Sequence, residues 1–117
     1  MNSSYNKNKA ARLLHLKVII TLRKMLILNK KAQSNDTYNV AEKPATYRNI
    51  YYNSDIREAT ISDTFNGKTL PTITTLLVLI EKMGYTLKEF AAIFEEVTEE
   101  EVNALDGEID EREYFRG

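Results

Sequence analysis

The segment ATISDTFNGKTLPTI (residues 59–73) constrains the fold most strongly, because it ends one helix and begins another within a few positions. Its first part has apolar residues four positions apart, as on one face of a helix. Gly67 follows where a helix end favours a left-handed backbone. Pro71 and Thr72 then mark the start of the next helix. The segment therefore predicts two helices joined by a tight turn.

A longer helix is expected to precede this segment. Apolar residues at helical spacing run from about Lys9 to Leu28. Its buried face is predicted to hold Leu14, Val18, Leu22, Met25 and Leu26, widened by Ile19, Ile20 and Ile27. This width indicates deep burial or a shared surface with a partner subunit. The polar, aperiodic residues 29–45, with Pro44 near their end, predict a long loop.

Five further helices are expected after this loop, and most begin at a threonine suited to capping. They start near Thr46, Ile56, Pro71–Thr72, Thr86 and Thr98. The inward residues are predicted to be Ile56, Ile61 and Phe65, then Ile73, Leu76, Leu77, Ile80 and Met83, then Phe90, Ile93 and Phe94. The sixth helix, with Val102 and Leu105, is expected to end at Gly107, and residues 108–117 to form a tail. No segment has strand alternation, so the predicted fold class is all-α, with residues 1–97 as one domain and 98–117 as an acidic appendage.

Composition excludes several kinds of site. The 117 residues contain no cysteine and a single histidine, His15, so disulfides, thiol nucleophiles and cysteine-based zinc sites are excluded. Other metal sites, cofactors and catalytic triads are not expected, and the carboxylate pairs lie in an acidic run typical of an exposed surface, so we do not expect an enzyme. The most apolar stretch, Leu13–Leu28, is interrupted by three cations, which argues against a membrane span. With no secretory signal, a cytoplasmic location is expected.

Charge is distributed unevenly along the chain. Residues 1–57 contain 11 Lys and Arg against three Asp and Glu, a net charge of +8. Residues 58–88 are neutral, and residues 89–117 contain 11 acidic against two basic residues, a net charge of −9. These blocks are either solvated faces or a basic half that faces nucleic acid, with an acidic tail directed elsewhere.

The order of these features resembles the lambda-repressor-like, or Xre-type, helix-turn-helix family. The resemblance covers about residues 46–94 and lies in Thr46, in Ile61 and Ser62, in Asn66-Gly67-Lys68, in Pro71-Thr72, in the Leu76–Met83 run, in Gly84 and in TLKEF at 86–90. It implies five or six helices, with the helix-turn-helix at about residues 46–66. It also implies a sequence-specific double-stranded DNA-binding regulator, a repressor of phage or mobile-element type, that acts as a homodimer with two reading helices about 34 Å apart.

The resemblance also assigns expected DNA contacts. By position these are Tyr47, Arg48, Arg57, Glu58, Ala59, Thr60, Ser62, Asn66 and Lys68. Arg57 would bind guanine or a phosphate, Glu58 would accept from cytosine, and Asn66 and Lys68 would hold phosphates. Purely structural roles remain open for Ser62, as a bond back to helix carbonyls, and for Asn66 with Gly67, as a helix end.

Several residues depart from the family pattern. Tyr51 stands where a small residue is usual, Asp55 replaces the turn glycine, and Phe65 replaces a glutamate that would pair with Arg23. Glu58 and Asp63 make the reading helix neutral or acidic. A second hypothesis is therefore a protein-interaction module or antitoxin that keeps the fold, with the acidic tail binding a protein partner, mimicking nucleic acid or folding back on the basic half. The loop at residues 29–45 is a candidate arm that orders on DNA.

Overall fold

Six α-helices form the part of the chain that the structure describes. This computed structural model describes the backbone of residues 3–33 and 43–116 and the side chains of residues 9–33 and 43–110. The helices are α1 (Ser3–Ala32), α2 (Tyr47–Ser54), α3 (Glu58–Phe65), α4 (Ile73–Lys82), α5 (Leu87–Glu96) and α6 (Glu99–Arg116). Since these residues contain no strand, the all-α prediction is confirmed for them.

Threonine caps fix the start of four helices, as predicted. Thr46, Thr72, Thr86 and Thr98 each accept a hydrogen bond from the backbone N–H three residues later. At α5 the Glu89 carboxylate also accepts from the Thr86 backbone N–H, which completes a capping box. This box holds the pKa of Glu89 below its usual value. Each cap pairs an N–H that the helix itself cannot pair.

Helix α1 is longer than predicted, and the expected loop does not begin at Asn29. That residue lies within the helix and is fully buried. Its Nδ2 donates to the backbone oxygens of Pro44, at 2.8 Å, and Met83, at 3.1 Å, while its Oδ1 accepts from the Tyr85 hydroxyl at 3.0 Å. This buried amide therefore links α1 to Pro44 and to the residues at the end of α4, where the sequence predicted a loop. Residues 34–42 of the expected loop lie outside the described residues.

The first of two hydrophobic clusters lies between the C-terminal half of α1 and the helices α2 to α5. Its buried members are Leu22, Met25, Leu26, Ile50, Ile61, Phe65, Leu79, Ile80, Met83 and Phe90. The inward directions of Ile61 and Phe65 are confirmed. The α4 face was predicted wrongly in part, because Ile73 is 68% exposed and Leu77 is 42% exposed while Leu79 is buried. The buried face is therefore turned toward Leu79, since α4 packs between α2 and α5.

The second cluster joins the N-terminal half of α1 to α6. It contains Leu16, Ile19, Ile20, Val97, Val102, Leu105 and Ile109. Leu14, predicted on the buried face of α1, is instead 56% exposed, because Leu16 and Ile19 are the residues that face α6. Tertiary packing thus selects a different stripe in this half of the helix.

Helix α6 does not end at Gly107, so that prediction and the predicted tail were wrong. The helix continues to Arg116. Leu105 and Ile109 are four residues apart on either side of the glycine, and both are buried against α1. A glycine in a helix interior is destabilising by roughly 0.5–1 kcal/mol relative to alanine. Burial of Leu105 or Ile109 alone offsets this cost.

The turn between α3 and α4 is a Schellman motif. The amide of Gly67 donates to the Thr64 oxygen at 3.2 Å, and the amide of Lys68 donates to the Asp63 oxygen at 2.9 Å. Gly67 has φ +76°, as the sequence indicated. A Cβ there would also lie 2.8 Å from Cδ1 of Ile109 and 3.2 Å from Cδ1 of Ile19. The left-handed backbone therefore favours glycine, and a Cβ would also displace the ends of the Ile19 and Ile109 side chains.

His15 faces the same turn from α1. Its Nε2 is buried with no hydrogen-bond partner among the described residues. Burial lowers the pKa of His15 below its usual value, a hydrogen bond with the Thr69 backbone opposes this, and nearby Arg12 lowers the pKa further. The fold therefore favours the neutral imidazole.

The two glycines are expected to respond oppositely to alanine. Gly67→Ala should lower the free energy of unfolding by more than about 1 kcal/mol, because the left-handed φ and the short contact both oppose a Cβ. Gly107→Ala should raise it by about 0.5–1 kcal/mol, since a Cβ there meets nothing within 4 Å in a helix interior. Urea denaturation followed by circular dichroism measures both. Destabilisation by Gly107→Ala would contradict a continuous α6.

Acidification is expected to remove stability through His15. The pKa of His15 in the folded state lies below the unfolded value of about 6.5. Its contribution to the free energy of unfolding is therefore complete above that pH and falls as the pH drops below it. From pH 7.5 to pH 5, the free energy of unfolding of the wild type should therefore fall relative to that of His15→Gln. NMR titration of this single histidine checks the cause directly. A measured pKa at or above 6.5 would refute it.

Candidate nucleic-acid interface

The N-terminus of α3 differs from those of the other helices whose caps are described. Arg57 occupies its cap position, and no side chain caps it. The amide of Ile61 bonds to the Arg57 oxygen, as the helix requires. The residues of the first turn, Glu58, Ala59 and Thr60, are all exposed. Their N–H groups and the positive end of the helix dipole thus face solvent, where they can receive an anion.

Three basic side chains surround this helix. Arg57 and Lys68 are exposed at its two ends, and neither side chain has an ion-pair or hydrogen-bond partner within the described part of the chain. Arg48, on α2, is 71% exposed, and its Nε lies 3.7 Å from Oε1 of Glu58. An exposed pair of this length contributes little stability. Arg48 is therefore weakly restrained by this pair, and it partly balances the negative charge of Glu58.

The turn between α2 and α3 brings these groups together. Asp55, which stands where the family pattern has glycine, has φ 61° and ψ 9°, and its amide donates to the Tyr51 oxygen at 3.0 Å. Aspartate is among the few non-glycine residues that enter this region without a large cost. Tyr51 is 40% exposed and lies beside Tyr52, so its bulk is directed outward and does not separate the two helices.

Three of the expected DNA-contacting residues also have internal roles. The half-buried ring of Tyr47 packs on Phe65, with centroids 5.1 Å apart, so it belongs to the packed face of α2. Asn66 donates through Nδ2 to the Ser62 backbone oxygen at 2.9 Å and to its hydroxyl at 3.3 Å. The outward members of the expected set are thus Arg48, Arg57, Glu58, Ala59, Thr60 and Lys68.

Cations of α1 form ion pairs with carboxylates of α6. Arg12 bonds to Asp106 and Asp110, and Lys24 Nζ lies 3.0 Å from Oε1 of Glu101. A hydrogen bond from the Thr98 backbone, and then the bond from Lys24, hold the pKa of Glu101 below its usual value. Two further lysines lie over aromatic rings: Lys17 over Phe94 and Lys43 over Tyr85. Arg12 and Lys24 are thus paired with carboxylates of α6, while Lys17 and Lys43 keep their charge over an aromatic ring.

Arg23 has partners that the sequence comparison with the family did not suggest. Its Nε donates to the Phe65 backbone oxygen at 2.8 Å, and its Nη1 lies 3.8 Å from Oε2 of Glu108 on α6. The glutamate that the family pattern places opposite Arg23 is replaced by Phe65, and Glu108 of α6 faces the guanidinium instead. The missed signal was the apolar spacing of Val102, Leu105 and Ile109, which continues through Gly107 and places α6 beside α1.

A shallow groove of about 530 Å³ lies between α1 and α6, apart from α3. Its apolar lining is formed by Leu13, Leu14, Val97 and Val102. Lys9 and Lys17 line it on the α1 side, and Glu99 and Asp106 on the α6 side. Among the described side chains, no group of three His, Asp or Glu residues is placed to hold a metal ion.

No described helix combines the length and apolarity needed to cross a membrane. The chain matches no protein-family model, no curated protein and no solved structure.

Proposed function

We propose that this protein is a sequence-specific double-stranded DNA-binding transcriptional regulator, in which α2 and α3 form a helix-turn-helix of lambda-repressor-like type. The observation that carries the proposal is the exposed, uncapped N-terminus of α3, with Arg57 at the cap position and no protein partner for its side chain among the described residues. Arg48 and Lys68 flank it. This arrangement suits a helix whose first turn enters the major groove.

Each outward side chain has a role in this mechanism. Arg57 donates two hydrogen bonds to O6 and N7 of a guanine, the commonest specific contact in the major groove. Glu58 accepts from cytosine N4, and Ala59 and Thr60 contact bases through apolar groups, such as a thymine methyl. Lys68 and Arg48 bind phosphates, which position α3 without reading sequence. Glu58 limits binding to unrelated sequences, since it repels phosphate wherever no cytosine compensates.

A homodimer would supply the specificity that one short helix lacks. Two copies would place their α3 helices in successive major grooves, about 34 Å apart, on a palindromic site. Repression would follow from occupation of a site that overlaps a promoter. The resemblance to phage and mobile-element repressors supports this direction of control.

A protein-interaction module, including an antitoxin, is the second candidate. It is favoured by the pairing of Arg12, Arg23 and Lys24 with α6, because these three cations are then less available to DNA phosphates. The groove between α1 and α6 offers a partner both apolar and charged contacts. In this alternative the outward face of α3 has no ligand.

Selection of bound sites from a random duplex pool, followed by fluorescence anisotropy, tests the leading proposal. Arg57→Ala should lower affinity for the selected site by about 1–3 kcal/mol and relax specificity at one base pair. Lys68→Ala should weaken binding to all duplexes and reduce the slope of log K against log salt by about one, because one phosphate contact is lost.

Lys88→Ala is the matched control, since it removes an equal charge from an exposed position on α5. It should leave both the selected site and the salt slope nearly unchanged. An absence of enriched sequences, or an equal effect of all three substitutions, would contradict sequence-specific binding. A protein partner captured by the α1–α6 surface would then favour the second candidate.

A further inference from the structure

The turn between α3 and α4 is held from behind by two helices. Arg23 of α1 binds the Phe65 backbone oxygen at the end of α3, at 2.8 Å. Ile19 of α1 and Ile109 of α6 approach Gly67 so closely that a Cβ on this glycine would lie within 3.2 Å of both δ-carbons. The conformation of the turn therefore depends on how α1 and α6 pack.

Helix α6 acts on this turn by two routes. Ile109 touches it directly, and Glu108 faces the same guanidinium that binds Phe65, at 3.8 Å. Two α6 residues, one apolar and one charged, thus converge on the end of α3. Residues of α6 closer to its start, such as Leu105, pack in the same cluster without being among the atoms nearest Gly67.

Lys68 is the basic side chain that this turn presents outward, next to the exposed Thr69 and Leu70. Its amide closes the Schellman motif by bonding to the Asp63 oxygen, so its backbone moves with the turn. Among the described side chains, the hydrophobic cluster that holds α3 itself contains no buried residue of α6. A change in α6 can therefore alter the turn while the packed face of α3 keeps its place.

We propose that α6 is a positioning element for DNA binding: Ile109, with Arg23 backed by Glu108, fixes the turn that presents Lys68 to a phosphate. This role rests on the DNA-binding function proposed above. It explains why an acidic helix lies next to a surface assigned to DNA. Its buried residues support a phosphate contact, and Glu101, Asp106, Glu108 and Asp110 pair with cations of α1.

Amide hydrogen exchange in the full chain tests the structural half of this proposal without DNA. Ile109→Ala should raise the exchange rate of the Lys68 amide at least about tenfold relative to the amides within α3. Leu105→Ala is the matched control, because it truncates a buried residue of the same helix and cluster. It should leave that ratio unchanged. Arg23→Lys keeps the charge but loses the Nε–H donor, and it should also speed exchange at Lys68.

The salt dependence of DNA binding tests the functional half. Ile109→Ala and Arg23→Lys should each lower affinity severalfold and reduce the salt slope by about one, as Lys68→Ala does, while Leu105→Ala keeps the wild-type slope. Wild-type exchange and slope in both positioning variants, or equal changes in the Leu105 control, would overturn the proposal. If the wild type binds no duplex, the proposed function fails instead, and the exchange experiment alone decides whether α6 fixes the turn.

Discussion

Packing against α1 is the constraint on which the rest of the structure depends. Among the described residues, α1 is the only helix that contributes buried side chains to both hydrophobic clusters. Its C-terminal half supplies Leu22, Met25 and Leu26 to the cluster beneath α2 to α5. Its N-terminal half supplies Leu16, Ile19 and Ile20 to the cluster beneath α6. Two half-buried faces on one helix thus organise the small helices around a common axis.

This arrangement determines which charges remain available. Helix α6 docks through an apolar stripe, and its carboxylates then lie opposite Arg12, Arg23 and Lys24. The pairs are partly exposed, so each adds little stability beyond that of the apolar contact. Their larger effect is on the surface potential, because they offset the charge of these three cations where α6 lies. The exposed cations near α3 are left to define the candidate interface.

Local signals were predictable from the sequence, whereas pairings between distant segments were not. The threonine caps and the left-handed Gly67 depend on neighbouring residues, so their patterns identified them. The burial of Leu79 in place of Leu77 depends on which helices flank α4. Periodicity alone does not specify those neighbours. The end of α6 was misjudged because Gly107 resembles a helix stop, while the contacts that continue the helix lie on α1. The outward position of Arg57 followed from spacing, but the internal bonds of Asn66 and the partners of Arg23 required the fold.

The buried amide of Asn29 has a consequence for folding. It bonds to Met83 and Tyr85, which lie 54 and 56 positions further along the chain. Bringing these partners together requires closing a loop that contains α2, α3 and α4, so the entropy of that closure opposes early formation of the bond. A hydrophobic residue at this position could pack against many different neighbours. An amide is more selective, because its NH₂ group needs an acceptor and its oxygen needs a donor. We therefore expect the bonds from Asn29 to Met83 and Tyr85 to form late in folding, and only when α1 and the end of α4 pack in the correct register.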